Sequence, residues 1–232
     1  MAPIRPIAAC ALALQVLVAQ VFVVQVFVVQ VLAVQVLVAQ GLITSAQAVE
    51  LPDGLATAYR AVELTPPSRD RVVVCHGFGC KFRSPVALTA ADHKALAGIM
   101  AAGRASAEAE RKAVAQAGLW FDRRLGTTIG TANHIAKANW RVAGDARQFD
   151  CIDTSRNLTS LLLVVDELGL LRHHHVAAPV ARGMLFDGRP PHATAVLTER
   201  SGGRQFSVDA WTRPYGQPPE IMPLDVWMAR DD

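Results

Sequence analysis

The sequence predicts an α+β fold in which helices come first and an antiparallel sheet follows. Helix-like stretches occupy residues 89–103, 106–126 and a leucine-rich run opening near Cys151. Three strand-like runs come after them, "HVAAPVARGMLF", "HATAVLTE" and "RQFSVDAW". The "RSGG" between the last two is a hairpin turn signal. Helices segregated ahead of hairpin-linked strands give helices packed on an antiparallel sheet.

In chain order, residues 1–48 carry a single charge, Arg5, and a long apolar run. Ala46-Gln47-Ala48 has the pattern of an export cleavage site, which puts the mature start at Val49. Within the run a five-residue unit repeats, with Gln at positions 20, 25, 30, 35 and 40. Five matches neither the helical nor the strand period, so the repeat builds no amphipathic face. We expect residues 1–48 to be a signal peptide; the alternative is an uncleaved inner-membrane anchor over residues 7–44, since the run is long enough to span a bilayer. Either way the remainder is expected in the periplasm or outside the cell.

Residues 49–70 contain Pro52, Pro66 and Pro67 and read as a tether, leaving 71–232 as the folded domain. "RVVVC" at 71–75 is a short β-branched strand, and "HGFGCKFRSP" after it a glycine-bearing loop. Thr89 is an N-cap for the first long helix, with Asp92 in its first turn but no full capping box; Gly103 would stop it. Ser106 caps the second helix, and 127–147 is ambiguous. The proline-rich tail is expected to wrap the domain.

The whole chain holds 232 residues, 51% of them hydrophobic. Since Arg5 is the only charge before residue 49, 22 basic residues face 20 acidic ones behind it. That balance argues against nucleic acid as a partner, and leaves the membrane as one only if the N-terminal segment is uncleaved.

The chemistry centres on "QFDCIDTSRN". Cys151 lies seven residues before Leu158 and shares its stripe with Leu162 and Val165, so it faces inward. It sits in the first turn, with Asp150 as N-cap. The helix N-terminus favours a thiolate, while Asp150 and Asp153 oppose it by a similar amount. A four-residue loop, Arg200 to Gly203, would set Thr194 opposite Asp209, with His192 one diagonal step away on the same face. A loop one residue longer would flip Asp209 to the other face. If the helix packs on that face, Cys151, His192 and Asp209 converge as nucleophile, base and orienting acid. The Cys151 N–H would stabilise an oxyanion, with Gln148 as a candidate second donor.

A cysteine opening a helix, then a histidine and an aspartate on successive antiparallel strands, resembles the transglutaminase-like superfamily. More narrowly, "CHGFGC", "DCID", "GLLRHH" and "VDAW" resemble exported proteobacterial proteins akin to bacterial transglutaminase-like cysteine proteinases, over about residues 71–229. The resemblance implies a papain-like α+β core and thiol chemistry on amide bonds, with Cys151 as nucleophile, His192 as base and Asp209 as orienting acid. The Trp often found just before that superfamily's cysteine is absent; Phe149 occupies its neighbourhood.

Behind residue 48 stand three cysteines, Cys75, Cys80 and Cys151. Cys75 and Cys80 flank the flexible "HGFG", so we expect them to pair and leave Cys151 free. A metal site using Cys75, His76 and Cys80 has no evident fourth ligand; "RHHH" at 172–175 could add imidazoles but reads otherwise as a polar bend. No metal or cofactor is therefore expected. The resulting expectation is an exported thiol enzyme acting on a peptide, protein or cell-wall amide. The alternative is a non-catalytic periplasmic binding domain on the same fold.

Overall fold

The computed structural model describes residues 51–183 and 190–231, with Gln25 before them. Contacts divide the chain into two units, residues 1–45 and 46–232. Apart from Gln25, the expected signal peptide, its pentapeptide repeat and the alternative anchor lie outside the described residues. Among the described residues no helix is long and apolar enough to cross a membrane.

The second unit is α+β. Helix α1 (Asp53–Arg60) precedes the hairpin β1 (Arg71–His76) and β2 (Phe82–Ala87). Helices α2 (Ala90–Ala101) and α3 (Ala107–Ile129) follow, then a 3-10 turn at Trp140–Val142 and helix α4 (Cys151–Glu167). Strands β3 (His174–Arg182), β4 (His192–Glu199), β5 (Gln205–Asp209) and β6 (Glu220–Pro223) form one antiparallel sheet in that order, and α5 (Leu224–Met228) closes it.

The stretch expected as a tether is instead part of the domain. Leu55 and Tyr59, spaced i, i+4, bury one face of α1. The Tyr59 hydroxyl lies 2.6 Å from Ser160 Oγ, and Arg156 Nε donates to Ala58 O at 3.1 Å. The expected loop after β1 also changes: residues 82–87 pair with β1 from Val73↔Pro85 to His76↔Phe82 and beyond. Pro85 is tolerated because β2 is an edge strand.

Helix α2 does carry a full capping box. Asp92 Oδ2 accepts from the Thr89 N–H at 2.8 Å while Asp92 N–H donates to Thr89 Oγ1 at 3.2 Å. Gly103 is not its stop; Ala102 is the C-cap, and a Cβ on Gly103 would meet Glu110 Cα at 2.7 Å. The glycine therefore lets α3 approach closely. Helix α3 runs past residue 126 to Gly130, whose φ of 79° ends it.

Helix α4 is the centre of the molecule. Leu158, Leu161, Leu162 and Val165 share one apolar core with Val72 and Val74 of β1 and Ala195, Leu197 and Val208 of the sheet. Its buried polar residues are satisfied. Thr159 Oγ1 donates to Ser155 O, and Asn157 spans the Cys75 backbone, accepting from its N–H at 2.7 Å and donating to its carbonyl at 2.8 Å.

The loop between β4 and β5 has the even length that the pairing required. Thr198↔Gln205 is the last ladder pair, Glu199 N–H donates to Arg204 O, and Ala195↔Val208 extends the register toward Thr194 and Asp209. Between Ala177 and Val180, over Ala178 and Pro179, a bulge shifts the β3–β4 register, setting Arg182 opposite His192.

The tail contributes real structure. Strand β6 pairs with β5 from Phe206↔Pro223 to Asp209↔Glu220. Its approach across α3 requires glycine: a Cβ on Gly118 would meet Pro219 Cγ at 2.7 Å, and one on Gly126 would meet Tyr215 Cε2 at 2.5 Å.

Glu110 locks α3 to the polar bend before β3. It is 1% exposed and accepts from the N–H groups of Arg172, His173 and His174 and from His174 Nδ1 at 2.9 Å. His174 Nε2 lies 3.2 Å from Arg111, so both ring nitrogens are engaged within the fold. Glu110→Ala would leave these buried donors without an acceptor. We expect a loss of about 3–5 kcal/mol in unfolding free energy, measured by urea denaturation.

Candidate active site

The site begins at the first turn of α4. Asp150 Oδ1 accepts from Asp153 N–H at 2.7 Å, and Asp153 Oδ2 accepts from Asp150 N–H at 3.2 Å, a reciprocal capping box with Cys151 at the first helical position. The same carboxylates hold the β1–β2 loop. Phe78 N–H and Cys80 N–H donate to Asp153 at 2.8 and 2.7 Å, and Gly79 N–H donates to Asp150 at 2.8 Å.

These donors converge because four successive residues adopt left-handed backbone: Gly77, Phe78, Gly79 and Cys80, with φ of 79°, 77°, 62° and 57°. Phe78 and Cys80 each carry a cost of about 1–2 kcal/mol for that conformation. The disulfide Cys75–Cys80 closes the loop, leaving Cys151 as the free thiol among the described residues. Among the described residues Cys75, Cys80 and Asp153 are the group spaced closely enough for a shared ion. Two of the three are consumed by the disulfide. His76 is not with them: its ring nitrogens meet Ala146 O and Ser84 Oγ.

Burial, and after it the neighbouring Asp150, pushes the Asp153 carboxyl up to about 7, although three backbone N–H groups favour its charged form. Cys151 is half-buried, and burial pushes its thiol up to about 11. Asp150 and Asp209 add to that rise, while N–H groups of Ala193 and of Cys151 itself counteract it. The opposition to a thiolate thus comes first from desolvation and then from Asp150 and Asp209, rather than from the Asp150–Asp153 pair that the sequence suggested.

His192 and Asp209 meet directly. His192 Nε2 lies 2.6 Å from Asp209 Oδ2, and both residues are almost fully buried, at 1% and 2% exposure. The carboxylate also accepts from Trp227 Nε1–H at 2.8 Å and from the Trp211 backbone N–H at 3.1 Å. An acceptor with these contacts assigns the proton to Nε2 and leaves the lone pair on Nδ1. His192 Nδ1 is buried and makes no hydrogen bond. The ring sits between Trp211 and Trp227, at centroid distances of 4.6 and 5.2 Å.

The expected convergence across one sheet face needs correcting. Helix α4 packs with Ala195, Leu197 and Val208, so strand alternation assigns His192, Thr194 and Asp209 to the opposite face. Cys151 instead meets the chain just before β4. Its Sγ lies 4.0 Å from the carbonyl oxygen of Pro191, the residue that precedes His192 in the chain.

Gln148 is placed elsewhere. Its Oε1 accepts from Ile135 N–H at 3.0 Å and its Nε2 donates to Asn133 O at 3.3 Å, so the buried carboxamide holds the 133–135 loop rather than serving as an oxyanion donor. Beside that loop, His134 pairs with Asp122 at 2.7 Å and contacts Phe149 and Tyr215 edge-on, a second structural histidine–carboxylate pair. What separates His192 from His174 is its unpartnered ring nitrogen. Trp227, which touches Asp209, escaped the sequence reading; its only local signal is an aromatic residue in a polar tail.

No family model, no curated protein and no solved structure matches the chain.

The raised Asp153 carboxyl makes a signed prediction. With a native value of about 7 against an ordinary 3.8, the native state binds more protons between those values. Its contribution is therefore complete below about pH 4 and is lost as pH rises through 7. In denaturant titrations across that window, native stability should fall more steeply with pH in the wild type than in Asp153→Asn. Parallel curves would show that Asp153 is already ionised throughout.

Proposed function

We propose that the chain is an exported thiol enzyme of the transglutaminase-like kind, cleaving or transferring amide bonds through Cys151, His192 and Asp209. The observation that carries this reading is the buried His192–Asp209 pair with Nδ1 left unpartnered, one residue after Pro191, whose carbonyl lies 4.0 Å from Sγ of the only free cysteine among the described residues. The Cys75–Cys80 disulfide fits the oxidising compartment to which an export segment would lead.

With the Cys151 thiol pushed up to about 11, the resting nucleophile is protonated at neutral pH. Attack and proton transfer are then concerted. Sγ forms a bond to the amide carbon as its proton passes to His192 Nδ1, and Asp209 stabilises the imidazolium. The Cys151 N–H at the helix start supports the oxyanion. The C–N bond breaks, the amine leaves with the proton from Nδ1, and a thioester remains. Water then attacks, giving its proton to Nδ1, and releases a carboxylic acid and the thiol; an amine in place of water gives transfer. The substrate class is a peptide, protein or cell-wall amide.

A second reading, a binding domain on this fold, is favoured by the half-buried setting of Cys151 directly after the Asp150 cap, which disfavours the thiolate. An activated ester separates the two. With p-nitrophenyl acetate, the enzyme reading expects a burst of one nitrophenolate per chain. Cys151→Ala should abolish the burst, and His192→Ala should slow it about 10²-fold. Equal rates with and without His192, or no burst, leave the binding domain.

A further inference from the structure

We infer that Trp227 is a positioning residue for the proposed triad: its indole N–H shares Asp209 Oδ2 with His192 Nε2, fixing the carboxylate that orients the imidazole. The inference rests on the triad reading and extends it to the C-terminal arm.

Trp227 is 1% exposed, so its Nε1–H must have a partner inside the protein. The partner is Asp209 Oδ2, at 2.8 Å, the same oxygen that lies 2.6 Å from His192 Nε2. Asp209 Oδ1 is held separately by the Trp211 backbone N–H at 3.1 Å. The carboxylate therefore cannot rotate about its terminal bond without giving up a donor on each oxygen. The indole also lies 5.2 Å from the His192 ring, and the Arg182 guanidinium stands over the indole, 4.6 Å from its centroid. The ring is thus fixed by packing independently of its hydrogen bond.

The charged groups around this unit come from each neighbouring element. Strand β3 brings Arg182, opposite His192 in register. Strand β6 brings Glu220, opposite Asp209 and paired with Arg213 and Arg230. Helix α4 brings Cys151 and Asp150. Trp227 is uncharged, so removing its N–H changes none of these charges and isolates the hydrogen bond. With one side-chain donor lost, more of the carboxylate's charge acts on the imidazole, which then holds its proton more tightly.

Trp227→Phe keeps an aromatic ring under Arg182 and removes the donor. Two measurements on the full chain test it. In the nitrophenyl ester assay, the acid limb of the pH–rate profile should move to higher pH by about half a unit or more, about threefold in rate on that limb. By NMR, the His192 ring, assigned by its loss in His192→Ala, should titrate at a correspondingly higher pH. A merely structural role would lower the denaturation midpoint and leave both pH profiles where they are; that result in folded Trp227→Phe overturns the inference. If His192→Ala acylates like the wild type, the triad reading itself falls. The NMR midpoint then still decides whether Trp227 acts on His192 through Asp209.

Discussion

The whole arrangement depends on two carboxylates being held at the start of a buried helix. Asp150 and Asp153 cap α4 and at the same time accept N–H groups from Phe78, Gly79 and Cys80. A charged group taken out of water needs several donors, and the left-handed loop provides them in a row. The loop keeps that shape because a disulfide closes it and Asn157 grips the strand behind it. Helix start, hairpin and free thiol are therefore one mechanical unit. Displacing any part of it moves Cys151 relative to the end of β4.

Around this unit the protein uses one kind of joint repeatedly. Glu110 with His174, Asp122 with His134 and Asp209 with His192 each tie a carboxylate to an imidazole across distant parts of the chain. The first two are closed by the fold: Arg111 meets the second nitrogen of His174, and aromatic rings flank His134. In the third, one ring nitrogen makes no hydrogen bond and two tryptophans lie against the ring. An unpartnered nitrogen in the interior costs stability, and such a cost is kept where a group has chemistry to do.

Much of this was legible in the sequence, where local rules sufficed. "RSGG" fixed the hairpin length, and with it the face shared by His192 and Asp209; Asp150 before an apolar run marked the helix start. Cys75 and Cys80 could be paired because only five positions separate them. The failures share a cause in long-range packing. Proline drew 49–70 toward a tether, although Leu55 and Tyr59 carried a helical spacing whose partner lies on α4. Gln148 had the right distance from Cys151 along the chain, but a distant loop had claimed its amide. The helix packs on the other sheet face because alternation gives both faces of β4 buried residues, and apolarity favours Ala195 and Leu197. Trp227 becomes visible only when β6 and two close-approach glycines bring the tail across α3.

The disulfide also couples the helix start to redox state. Cys75 and Cys80 close the loop whose N–H groups reach Asp150 and Asp153. Reducing the bond would leave the left-handed conformation of Phe78 and Cys80 to be held by those hydrogen bonds without the covalent closure. A change at the hairpin is thereby transmitted to the turn that carries Cys151, with no contact between disulfide and thiol required.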